Sequence, residues 1–450
     1  MDLPQKKDDG LKNFDALKTI MEQMSRVFVK IFMPMTDSVL EVFIDKPLFK
    51  WLIFRGNVIF EIIKDVELLK MQFSMFWIRW LVGILLLPLL LPPNSSIASE
   101  PVKIGIIFAR TGNAAPVCKA AFKAVRLAAD KLNQAGGLLN HPVQLIEYDN
   151  KSTPIGARHA AQNAVKDRVI GVIGATYSSH SIAMSKVLQP GQVPMISPIS
   201  THPELTIGKD YIFRVCFTDD FQGRVMADFA LHDLGALSSA VFTNTSSKYS
   251  MGLASVFIDR FVNQGGQVMF EGEYQNDTIE FAFLLDRIKD HPPGIVYIPG
   301  HYRESAYIIK QARLMGLSIV FLGGDGWVNQ MYTYGGSYIH GNYYTTQWHY
   351  DSPNPRSRRF VAEFKKKYGS VTNEPVMALT YDAFMVLADA VKRAGTFSRT
   401  DIRAELARTN GFKGVTGKIT FDQNGDPVDK SAMVLKFDDY DSSFYKILSP

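Results

Sequence analysis

From about residue 102 onward, short apolar runs alternate with longer stretches whose apolar positions recur every three or four residues. Short apolar runs fit buried strands and the longer period fits amphipathic helices, so the alternation predicts parallel strands joined by helical crossovers, an α/β fold. Lys103–Phe108 reads as the first strand, Ala120–Asn133 as the first helix and Val143–Tyr148 as the second strand. Ala157–Lys166 follows as helix and Val169–Ile173 as a strand buried on both faces.

An internal echo sharpens this picture. Asn133-Gln-Ala-Gly-Gly137 closes the first helix ahead of a strand, and Asn263-Gln-Gly-Gly266 closes a helix over Gly252–Val262 ahead of Gln267–Phe270. Glycine there allows the left-handed cap that turns a helix back toward its sheet. The strand before the second copy is Ala240–Thr243, so two lobes of similar βαβ build are expected. Phe213–Asp220, a strand running into an acidic turn, is the first expected crossing between them, and Tyr343–Thr346 marks a second. Helices follow at Arg356–Tyr368, Pro375–Ala394 and Arg399–Arg408, then a strand-turn-strand tail over Gly417–Phe437. The expected fold is two doubly wound, Rossmann-like lobes on a multi-strand hinge, with residues 99–217 plus 347–425 in one and 218–346 plus 426–450 in the other.

Ahead of this region lies a different pattern. Arg79, the apolar run Leu81–Leu91 and the small residues Ser96-Ile97-Ala98 have the three parts of a secretory signal peptide, with cleavage expected after Ala98. The run is shorter than the roughly 20 residues that span a bilayer, and Pro88, Pro92 and Pro93 break its end, so a permanent anchor is the weaker reading. Residues 1–70 form an N-terminal extension with little domain-like pattern, and Met71 looks like the natural start.

Composition changes the picture little. Hydrophobic residues make up 46% of the 450, which suits a globular protein with a substantial core. The net charge of +5 is modest, and the basic runs Arg356–Arg359 and Lys365–Lys367 read as solvated helix faces rather than a nucleic-acid surface. Cys118 and Cys216 could pair in an oxidising compartment, but two buried thiols are the favoured reading.

Catalytic signatures are absent: the chain has no G-x-x-x-x-G-K-[ST] loop, G-x-G-x-x-G, H-E-x-x-H or G-x-S-x-G. Its informative segments are turns. Gly174–Ser181 leads from a buried strand into the helix Ile182–Leu188, bringing Ser178 and Ser179 to a helix N-terminus that favours an anion. Pro198–Glu204 supplies a second end with Ile199, Ser200 and Thr201, in which Thr201 and Glu204 have capping-box spacing. Gly324-Asp325-Gly326 ends a strand in a glycine-flanked acid that would need a cation if enclosed, unless it is only an Asx-turn. His301 has no second histidine or cysteine at metal spacing, and no cofactor or metal is expected.

Residues 101–450 resemble the periplasmic branched-chain amino-acid-binding proteins, the type I binding proteins that serve ABC importers. The resemblance is carried by Val102–Ile107 with Thr111-Gly112, Asn133–Gly137, Ser178-Ser179, Ser197-Pro198 with Thr201, Pro203–Thr206, Gln222-Gly223, Gln311–Gly316 and Gly324–Gly326. It implies two lobes closing on one small ligand. The residues matching Ser178, Ile199 and Thr201 would hold an α-carboxylate, the acid matching Asp325 an α-ammonium, and Tyr249 would cover the ligand. Tyr381 is expected to be structural.

Departures from the best-known members touch the side-chain pocket. Asp325 replaces a glutamate, while Val117 and His301 replace tyrosines; Ser152 and Tyr177 stand where those members carry a disulfide. The resemblance implies a monomeric, non-enzymatic periplasmic protein that passes an amino acid to ABC permease subunits in the inner membrane, with no nucleic-acid partner. Two rivals remain from the sequence: a membrane-tethered amino-acid or amide sensor, and an amide hydrolase, for which no positioned base is visible.

Overall fold

The computed structural model describes residues 99–372, 374–439 and 441–449. The signal segment at 71–98 and the extension at 1–70 lie outside the described residues. Five strands, β1 (Val102–Phe108), β2 (Val143–Asp149), β3 (Val172–Gly174), β4 (Met195–Ser197) and β5 (Ile212–Arg214), form an all-parallel sheet in the order β2-β1-β3-β4-β5. A second sheet contains β6 (Ser238–Asn244), β7 (Gln267–Tyr274), β8 (Ile295–Ile298), β9 (Val320–Gly323) and β10 (Tyr343–Thr346), in the order β7-β6-β8-β9-β10. The two lobes therefore share one strand order, as the Asn/Gln/Gly echo implies. The second sheet is extended past β10 by two antiparallel strands, β13 (Ala432–Phe437) and β14 (Ser442–Leu448). A small hairpin, β11 (Phe412–Gly414) and β12 (Gly417–Ile419), stands apart from both sheets.

Each crossover helix packs beside its own strands. In the first lobe these are α1 (Ala115–Gln134), α2 (Pro154–Lys166) and α3 (Ser178–Leu188). The second lobe opens with α4 (Asp219–Asp228) and continues with α5 (Lys248–Asn263), α6 (Ala282–Lys289), α7 (Tyr302–Leu314) and the short α8 (Met331–Gly335). After β10 come α9 (Pro355–Tyr368), α10 (Pro375–Ala394) and α11 (Arg399–Ala407). Both α9 and α10 pack on α1, and α10 also reaches β3 and β4, so the chain returns here to the first lobe. The chain crosses between sheets after β5, after β10 and between β12 and β13, and several crossings make a hinge.

Four helices begin three to five residues before the apolar periodicity does: α1 at Ala115 rather than Ala120, α2 at Pro154 rather than Ala157, α3 at Ser178 rather than Ile182, and α5 at Lys248 rather than Gly252. Polar residues enter these first turns, Ser178 and Ser179 in α3 and Lys248 and Ser250 in α5, which weakens the periodicity there. The acidic turn expected at Asp219-Asp220 is likewise the first turn of α4, where carboxylates complement the helix dipole. The capping box expected at Thr201 and Glu204 does not form. Pro203–Leu205 is one turn of 3₁₀ helix, and His202 caps it by accepting the Glu204 amide on Nδ1 at 3.1 Å.

Cys118 and Cys216 are free, buried thiols. Tyr381 is structural: its ring packs on Phe360 at 4.9 Å between centroids.

Candidate functional site

Segments that follow the carboxyl ends of β1, β3 and β4 in the first lobe, and of β6, β8 and β9 in the second, converge on one cleft. Open α/β sheets bind ligands beyond these strand ends. Val117, Ser178 and Ile199 line it from the first lobe; Tyr249, His301 and Asp325 line it from the second.

Asp325 is only 6% exposed. Its carboxylate accepts the side-chain amides of Gln222 and Gln347, each at 3.1 Å. Burial pushes its pKa up to about 6, and those amides with the Tyr249 hydroxyl restrain the rise. The flanking glycines are steric requirements. A Cβ on Gly324 would collide with the Tyr249 hydroxyl, and one on Gly326 would stand 2.6 Å from the Gly300 carbonyl oxygen. Tyr249 Oη instead accepts the Gly326 amide at 3.0 Å, which fixes the turn that presents the acid.

Opposite it, Ser178 opens α3, whose N-cap residue Tyr177 gives no side-chain cap. The first amides of this 11-residue helix are thus left for another acceptor. Ser178 itself is buried, and its hydroxyl accepts the His202 amide at 3.3 Å.

The remaining expected residues stand elsewhere. Ser200 turns its hydroxyl into the core, 2.7 Å from Ser181 Oγ, and braces the segment after β4. Thr201 is buried beside Asp219; neither Thr201 Oγ1 nor Asp219 Oδ2 has a partner at hydrogen-bonding geometry, although the hydroxyl still counteracts part of the upward pKa shift of Asp219. Ser179 lines a neighbouring cleft and accepts the Lys248 amide of the second lobe at 3.2 Å.

Several lining residues escape sequence reasoning. Thr176 and Tyr177 precede α3, while Glu374, Pro375 and Val376 enter at the start of α10, far along the chain. Nothing local marks the latter group; only the packing of α10 on β3 and β4 brings them in. Glu374 bridges the lobes by accepting Gln330 Nε2 at 2.7 Å, and burial raises its pKa. Arg214 gives no local signal either. This fully buried side chain pairs with Asp426 at 2.6 Å and donates to the carbonyls of Ser200 and His202, which holds the post-β4 segment in place without a helix.

The aromatic wall is made across the lobes. Tyr177 stacks on His301 with centroids 3.9 Å apart and 13° between planes, and His301 stacks on Tyr249 at 5.3 Å and 19°. Burial lowers the His301 pKa to about 3, so the imidazole is neutral. Asn113 Nδ2 also reaches across to Asp277 at 2.6 Å, and the Tyr302 hydroxyl donates to the Asn113 carbonyl at 2.7 Å. The lobes thus meet over the cleft.

Known proteins are similar to this chain over most of its length. The Leu/Ile/Val-binding protein homolog 3 of Brucella melitensis is 28% identical over 356 residues, 77% of this chain and 94% of that protein. The leucine-specific-binding protein of Salmonella typhimurium is 28% identical over 330 residues, covering 73% and 88%. Among solved structures, the leucine-binding protein LivK of Thermotoga maritima is 36% identical with a TM-score of 0.74, covering 78% of this chain and 99% of that one. LivJ of Streptococcus pneumoniae, in complex with isoleucine, is 27% identical with a TM-score of 0.74, covering 78% and 100%. The repeated strand order, the hinge and the cleft between lobes agree with a family model that matches residues 101–441, and the chain belongs to the periplasmic binding proteins.

Proposed function

We propose that the cleft binds the zwitterion of an amino acid with an apolar, branched side chain and delivers it to the permease of an ABC importer. The observation that carries this reading is the pairing of poles: a buried carboxylate, Asp325, faces the cleft from one lobe, and the uncapped N-terminus of α3 with the Ser178 hydroxyl faces it from the other. An α-ammonium would neutralise Asp325 and an α-carboxylate would accept the free amides. Val117, Ile199, Val328 and Val376 supply an apolar surround for the side chain. The names of the relatives point the same way.

Binding at residues from both lobes favours the closed form through differential contacts, and the closed form is what a permease would recognise. Export through the signal segment would place the protein in the periplasm. Relatives are transport components rather than receptors, which favours delivery over sensing.

Calorimetry with leucine, isoleucine, valine, phenylalanine, glutamate and urea tests the reading. Leucine, isoleucine or valine should bind, while the keto acid of leucine, which lacks the ammonium, and isoamylamine, which lacks the carboxylate, should not. Tight binding of either truncated analogue would reject the two-pole arrangement.

A further inference from the structure

Tyr177 is an N-cap residue that makes no capping bond; its ring instead crosses to the second lobe and lies flat on His301. The two rings lie between two spaces. The inner cleft holds Asp325, Glu374 and the apolar residues named above. A second, neighbouring cleft has Asn113, Ser179, His180, Ser247, Asn276 and Arg303 on its walls. Tyr177, His301 and Tyr302 line both. They are therefore the partition between the two clefts.

We infer that Tyr177 is a specificity-determining residue: its ring, stacked on His301, closes the side-chain end of the inner cleft and excludes amino acids whose side chains are long and polar-ended. The inference rests on the amino-acid reading of the inner cleft. Its physical basis is steric. With the partition in place, a long side chain meets two aromatic faces and its end cannot pass them. Without it, that end passes into a cleft lined by amides, hydroxyls and the Glu304 carboxylate, where its hydrogen bonds are satisfied. His301 forms only part of the partition: it stacks on Tyr177 from the first lobe and on Tyr249 from its own.

Tyr177→Ala, Tyr177→Phe and, from the opposite lobe, His301→Ala are compared with wild type by calorimetry against leucine, glutamine and arginine, after thermal melts establish that each variant folds. Wild type and Tyr177→Phe should prefer leucine in the same ratio. In Tyr177→Ala the preference for leucine over arginine and glutamine should fall at least tenfold, with His301→Ala moving in the same direction. A variant that weakens all three ligands by a common factor would overturn the inference, since a ring that merely latched the lobes shut would do that. If Tyr177→Ala does not fold, an unchanged leucine preference in His301→Ala overturns it equally. Failure of the underlying reading looks different: wild type itself would bind none of the three.

Discussion

Asp219 and Asp325 share one amide: Gln222 donates Nε2 to Asp219 Oδ1 at 2.9 Å and to Asp325 Oδ1 at 3.1 Å. The carboxyls are both buried and the Asp325 charge raises the pKa of Asp219, yet their environments separate them. Burial, reinforced by Asp325, pushes Asp219 up to about 8, while Asp325, with a second amide from Gln347, rises only to about 6. The second amide from Gln347 and the Tyr249 hydroxyl favour the negative charge on Asp325, the member of the pair that lines the cleft. Gln222 is itself held by Thr345, whose hydroxyl donates to Oε1 at 2.9 Å.

Removing that charge should weaken ligand binding. Asp325→Ala leaves an ammonium desolvated and unpaired, at a cost of about 3–5 kcal/mol, or roughly two to three and a half decades in affinity. Isothermal titration with the tightest-binding amino acid measures it, and an unchanged Kd would remove Asp325 from the binding pole.

Affinity should also fall in acid. The empty cleft holds Asp325 with a pKa of about 6, and an ammonium can pair only with the ionised form, so below pH 6 binding must expel a proton. The Kd should then rise by about tenfold per pH unit for that group. His301 acts with the same sign. Its pKa of about 3 in the closed lobes means that closure is opposed by any proton it acquires when the lobes part, a loss that grows as pH falls below the ordinary histidine value of 6.5. Titrations from pH 8 to 4.5 should show this decline, and Asp325→Asn should remove one proton from its slope. Tighter binding in acid would contradict the assignment.

Asp219→Asn should stabilise the protein near neutrality. An aspartate whose folded-state pKa is raised keeps its proton in the fold while the unfolded chain releases it, so stability drains away as pH rises from 3.8 to about 8. An asparagine has no proton to lose, keeps an acceptor for Gln222 and gains a donor for Thr201. The expected gain at pH 8 is about 1–3 kcal/mol, or a rise of a few degrees in Tm, vanishing toward pH 4. Equal melting temperatures at pH 8 would show that Asp219 is ionised without penalty.

Far from the cleft, Asp382 and Lys430 fasten α10 to the hairpin that follows it. Asp382 accepts the amides of Val415 and Thr416 at 2.7 and 2.8 Å, and Lys430 donates to Thr416 Oγ1 at 2.6 Å. Burial pulls the Lys430 pKa down to about 8, with the Asp382 carboxylate opposing the fall. Asp382→Ala strands a buried ammonium and two amides, and should cost about 3–5 kcal/mol in urea unfolding. Adding Lys430→Met should recover part of that loss; no recovery would mean that the amide bonds, not the charge pair, carry the effect.

The alternation of strand and helix, the doubled Asn/Gln/Gly cap and the glycine-flanked Asp325 were all readable from the chain, because each depends on local rules: side-chain period, positive φ and steric room. Val117, Ser178, Ile199, Tyr249, His301 and Asp325, named through the family resemblance, do meet at one cleft. What local pattern could not rank is which hydroxyls face that cleft. Ser178 does, while Ser200 turns to Ser181 and Thr201 to Asp219, and the three are chemically alike in a string of small polar residues. Their directions follow from Arg214, buried between Asp426 and two carbonyls, an arrangement that joins positions 212 residues apart. Tyr177 is the sharpest case: its sequence neighbours mark only the approach to a helix, and only His301 of the second lobe, stacked on its ring, makes it a wall. Periodicity reports what a residue does within its own element; contacts between lobes depend on how two finished surfaces meet, and no single stretch of chain encodes that.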